Sequence, residues 1–210
     1  MLWLDLALIS IVFLGIVILG NNRLRTTIQL FALQSFILSL VPLMVHPGVH
    51  AMILSVGTFI LKVVIMPTLF FWAIRHVSIR REAQPLISYG KTLLLGGFLI
   101  GVAFLISSRL DLPDKGISNL LVPCAFSVIM IGFLLLVSRF KAITQIIGYL
   151  VMENGIFLFA QLLLEKTPLL VEMGILLDIF VGVLVMGIVV NHISQEFDSA
   201  STVNLINLRG

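Results

Sequence analysis

The chain has 210 residues, of which 60% are hydrophobic and 11% charged, with a formal net charge of +3. Soluble domains run about 45–50% apolar and about 25% charged, which excludes an ordinary soluble enzyme domain and a disordered chain; the single cysteine, Cys124, excludes an internal disulfide framework. The basic residues are scattered between apolar blocks rather than clustered, so they speak for membrane topology and against nucleic acid.

A helix needs roughly 20 mostly apolar residues to cross the hydrocarbon core. Seven blocks meet this in chain order: 2–20, 27–45, 51–74, 90–108, 118–138, 143–164 and 169–191. The first lacks a basic start and a small-residue cleavage pattern, so it reads as a span and not a signal peptide. The joints then set the orientation. Arg23, Arg25, Arg75, Arg80, Arg81, Lys91, Arg139, Lys141 and Arg209 fall on one side, against Arg109, Lys115 and Lys166 on the other. The positive-inside rule puts the N-terminus outside and the C-terminus in the cytoplasm.

Sliding the chain by 116 positions brings Arg23 onto Arg139, Arg25 onto Lys141, Gln29 onto Gln145, His76 onto His192 and Lys62 onto Asp178. These polar coincidences suggest a duplicated three-helix unit, giving an all-α integral membrane protein in a 3+1+3 arrangement of parallel repeats. The expected units are 1–82, a linker with the fourth span over 83–117, and 118–210.

Lys62, Glu153 and Asp178 each fall near the middle of an apolar block. A charge at the bilayer centre costs roughly 2.5–3.5 kcal/mol on insertion scales, so such groups must pair, hold water or change protonation. Gly174 and Gly182 share a helix face with Asp178 and leave room beside it. Asn154, next to Glu153, is available to bond that carboxylate or a water. Lys62 stands five residues before Pro67, which strips the Val63 carbonyl of its helical donor and favours a kink. Two readings stand for these residues: a proton or ion path, with Glu172 as a further candidate at its mouth, or static pairing that holds the helices together. His46 and His50 flank a Pro-Gly turn, where solvated imidazoles are commoner than metal ligands. No Walker loop, cysteine cluster or haem-type histidine pair is present, so neither a cofactor nor catalysis by this chain alone is expected.

Residues 118–210 resemble the small NuoK/MrpC-like subunit of complex I and Mrp antiporters. The resemblance rests on Gly148-Tyr149 with Met152-Glu153-Asn154, Asp178 with Gly182, and the closing Leu208-Arg209-Gly210. Over its whole length the chain is similar to the E component (HyfE-like) of hydrogenase 4 and other formate hydrogenlyase-type complexes. That likeness is carried by Lys62 with Pro67, Met152 to Gly155, Val171-Glu172 with Gly174 and Asp178, and Val203 to Gly210.

This likeness implies a non-catalytic membrane subunit lying between antiporter-like subunits and hydrogenase-type large and small subunits. Nickel-iron and iron–sulfur centres would belong to those partners. Asp178 would take the place of the K-type third-helix glutamate. The second-helix glutamate corresponds instead to Leu150, with Glu153 three residues on and on nearly the same face. The alternative from another class is a subunit of a Mrp-type cation/proton antiporter with no redox partner.

Overall fold

The computed structural model describes residues 2–45, 48–77, 88–110, 118–162, 180–183, 185 and 187. In order these form α1 (Leu2–Gly20), α2 (Leu24–Val45), α3 (Val49–Thr58), a π-helical segment (Phe59–Ile65), α4 (Met66–Val77), α5 (Tyr89–Ser107), α6 (Leu121–Ser138) and α7 (Ala142–Ala160). No strand occurs among the described residues. Six helical stretches among them are long and apolar enough to cross a membrane, with α3, the π segment and α4 joining into one from Ala51 to Arg75. The expected seventh span, 169–191, lies almost wholly outside the described residues. Within it, Phe180–Val183 is helical, and Gly182 approaches Met66 and Leu69 of α4.

Helices α1 and α5 are apolar on nearly every side, as helices in lipid are. In α1, Leu4, Leu8, Ile11, Leu14 and Ile18 point inward at three- and four-residue spacing, while Trp3, Leu6, Ile9 and Phe13 point outward. Hydrophobic contrast therefore cannot decide which face packs, and small residues decide it instead. The tightest pair is α6 with α7. A Cβ on Gly132 would lie 2.2 Å from the Met152 backbone nitrogen, one on Gly148 2.6 Å from the Leu136 nitrogen, and one on Gly155 2.6 Å from the Ile129 nitrogen. The partners step backward along α6 as the chain advances along α7, which fixes an antiparallel hairpin whose backbones almost touch. At the edge of the bundle, α5 turns Leu94 (79% exposed) and Phe98 (66%) outward.

Only Arg139, Phe140 and Lys141 join α6 to α7. Sequence alone reads Arg139 as a solvated, topology-setting cation, but it is 1% exposed. So short a connection leaves it against the end of α1. There its guanidinium donates to the carbonyls of Leu19 and Asn21 and lies 4.5 Å from the centre of the Tyr89 ring. Those carbonyls are among the groups that a helix end leaves without partners, so a cation there caps α1 and complements its dipole. Arg23, its counterpart in the 116-residue register, is exposed.

Helices of the first half meet those of the second at closely related positions. Gly15 of α1 faces Ile131 of α6, 116 positions on. Gln34 and Ser35 of α2 meet Asn154 of α7 at separations of 120 and 119.

Candidate functional site

Four elements converge on a polar cluster inside the bundle. Lys62 sits in the middle of the π segment and near the middle of the Ala51–Arg75 span. Met66 donates its backbone N–H to Leu61, five residues back, which is the π register. Pro67 predicts a disturbed helix at this point, and the turns just before it are π-helical. Such segments recur at functional sites.

Lys62 Nζ lies 3.1 Å from Glu153 Oε1, with the two side chains 3% and 6% exposed. Nζ also donates to Asn154 Oδ1 at 3.2 Å. An ammonium can only donate, and this fixes the direction of every bond beyond it. Asn154 turns its oxygen to Lys62, so its Nδ2 must find acceptors. They are Gln34 Oε1 and Ser35 Oγ, each at 3.3 Å. Gln34 then presents Nε2 to the Ile11 carbonyl at 3.0 Å. The network thus ties α1, α2, the π segment and α7 together. Glu153 Oε2 is buried and has no hydrogen-bond partner among the described residues.

Of the residues singled out from sequence, Lys62 and Glu153 come together, with Asn154 serving Lys62 instead of Glu153. Asp178 and Glu172 lie outside the described residues, as does His46. Sequence reasoning missed Gln34 and Ser35, both fully buried. The available signal was a glutamine in the middle of a largely apolar span. Among the described residues no group of three His, Cys, Asp or Glu is placed to hold a metal ion.

These features define a polytopic α-helical membrane protein with a lysine–carboxylate pair buried at mid-span. The chain belongs to the family of the Mycobacterium tuberculosis protein named Uncharacterized protein Rv0085, to which it is 30% identical over 209 residues, 98% of this chain and 95% of the relative. It is also homologous, more distantly, to Hydrogenase-4 component E of Escherichia coli, at 28% identity over 159 residues, 76% of this chain and 74% of that protein. Hydrogenase-4 component E of Shigella flexneri matches to the same extent. No family model matches the chain, and no solved structure does.

Proposed function

We propose that this chain is a non-catalytic membrane-arm subunit of a complex-I-like energy-converting hydrogenase or related oxidoreductase complex, and that its buried charges contribute to proton or sodium-ion translocation. The observation that carries the reading is the buried Lys62–Glu153 pair, backed by Asn154 and Gln34, in a chain homologous to a hydrogenase component. Lys62 and Glu153 are the groups that exchange a proton. Asn154, Gln34 and Ser35 have no proton to give up in this range and act as positioning residues, holding the ammonium against the carboxylate. The unpartnered Oε2 gives Glu153 a second side on which to meet water or another carrier. A charge arriving nearby in a partner subunit would act strongly on the pair, because Coulomb terms are large away from water. Asp178, and Glu172 at its mouth, would extend the path.

The near-116 spacing of the contacts between halves supports the parallel repeat of 1–82 and 118–210, with the fourth span in 83–117 as linker. A two-fold axis along the membrane normal brings equivalent residues together at equal depth, as with Gly15 and Ile131.

Affinity purification of the tagged full chain is expected to recover antiporter-like membrane subunits together with hydrogenase-type large and small subunits. Recovery of antiporter-like subunits alone would favour the Mrp-type reading instead. Within that complex, Glu153→Gln and Asp178→Asn keep size and hydrogen bonding but remove the ionisable group. Normal assembly with ion translocation cut by at least about tenfold is the expected result for each, a floor below the roughly 10²–10⁴-fold that a positioned acid or base contributes. Undiminished translocation in an assembled variant removes that residue from the path.

Orientation has its own test. In a Cys124-free chain, single cysteines at 48 and 110 are expected to react with an impermeant thiol reagent in intact cells, and one at 83 is not. Labelling at 83 would reverse the topology.

A further inference from the structure

A second polar feature lies at the end of the bundle, away from the buried pair. Arg25, Gln29, Phe71, Ile74 and Arg75 line a cavity of about 330 Å³ between α2 and α4. Arg25 is in the first turn of α2 and Arg75 in the last turn of α4, so the two guanidiniums share one end of two antiparallel spans. Moving inward from each, Gln29 and Phe71 stand four residues deeper, about 6 Å by helical rise. The cavity therefore has a cationic rim at the depth where a span ends, with the Phe71 ring and the Gln29 amide one turn into the membrane. Neither arginine meets a carboxylate within ion-pair distance among the described residues, where the ion pair found is Lys62 with Glu153.

From this arrangement we infer a binding site for the phosphate of an acidic phospholipid. The shared chemistry is a phosphate anion between two guanidiniums, which suit phosphate oxygens better than a lysine ammonium does. What favours a lipid over free phosphate is what lies beneath the rim. Phe71, half-buried one turn below the charges, offers apolar surface matching the glycerol and first acyl carbons of a lipid, with Ile74 in the wall beside Arg75, whereas a soluble anion gains nothing there. The size suits a headgroup, and basic pockets between membrane helices bind such headgroups generally. Gln29 adds an amide able to donate to a phosphate or glycerol oxygen.

The test uses the full chain in mild detergent, with bound lipid counted by native mass spectrometry. Phosphatidylglycerol and phosphatidylcholine compete for the protein, with inorganic phosphate added in a separate arm. Wild-type chain is expected to retain phosphatidylglycerol preferentially. In Arg25→Gln/Arg75→Gln that preference is expected to fall by at least about tenfold, since both guanidiniums that hold the phosphate are removed. Arg109→Gln, an exposed arginine beyond the other end of α5, is expected to leave it unchanged. Both cavity arginines are exposed, so their replacement spares the core. Equal preference in wild-type and doubly substituted chains overturns the site. Millimolar inorganic phosphate displacing phosphatidylglycerol as well as added phosphatidylglycerol does would overturn the lipid assignment.

Discussion

Gly132→Leu is expected to abolish the folded protein, while Gly97→Leu leaves yield and melting behaviour near wild type. The contrast follows from what stands opposite each glycine. A Cβ at Gly132 would meet backbone atoms of Met152 at 2.2 and 2.5 Å, distances that real Cβ atoms do not show. A flexible side chain could swing aside, but a helix backbone has to move as a body. Separating α6 from α7 to admit a side chain would also break the approach at Gly148 and Gly155, and would shift Glu153 and Asn154, which lie between those two on α7. Overpacking a core typically costs about 1–3 kcal/mol and occasionally more; even Gly132→Ala belongs at the upper end here, and leucine beyond it. Gly97 has nothing within 4 Å and is exposed on α5. Gly97→Ala is even expected to gain slightly, since alanine is better than glycine in a helix by about 1 kcal/mol. Size-exclusion profiles and thermal unfolding of the purified chains measure both. Gly132→Leu accumulating as a monodisperse protein at wild-type levels would show that the helices do not touch as described.

The spans were legible because membrane insertion is a one-dimensional property. An apolar block of sufficient length is enough, and six of the expected seven blocks match helices to within a few residues. Packing is a different matter. In a helix that is apolar all round, the periodic contrast that reveals an inner face is nearly absent, so α1 gives no sequence sign that Leu8 points in and Phe13 out. Glycines and lone polar residues carry that information, and they do so only in pairs. Gly132, Gly148 and Gly155 declare a close approach but do not say to which helix. Lys62 and Glu153 announce themselves as costly, yet their pairing is a contact across 91 positions that no local pattern encodes. Local chemistry has the same limit at Pro67. A missing N–H predicts a disturbed helix, and both a kink and a π segment answer it. Arg139 shows the opposite error, in which a basic residue read only for topology has a structural role beside a three-residue link.

Lys62→Met is expected to be the most damaging single change in the polar cluster, more so than Glu153→Gln, and the difference follows from the bonding. Removing the ammonium leaves Glu153 buried with neither oxygen partnered among the described residues, since Oε2 has no partner there and Oε1 loses Lys62. It also deprives Asn154 Oδ1 of its donor. Breaking a buried pair from one side costs about 3–5 kcal/mol. Glu153→Gln is gentler, because Lys62 still has Asn154 to donate to and the new amide oxygen can accept from the same Nζ. Replacing both partners, Lys62→Met/Glu153→Leu, removes the stranded charge altogether and is expected to recover most of the lost stability, as buried pairs exchanged for apolar residues often do. The cycle therefore separates fold from function. Thermal unfolding of wild type, Lys62→Met, Glu153→Leu and the double variant should give a coupling energy of at least about 3 kcal/mol between the two sites, the upper end for residues in contact, with the double variant closer to wild type than Lys62→Met is. Ion translocation should not recover with it, because the stable double variant has no group left in the pair to carry a proton. A double variant that is both stable and fully active would reduce the pair to a structural contact and leave the translocation reading to Asp178 alone.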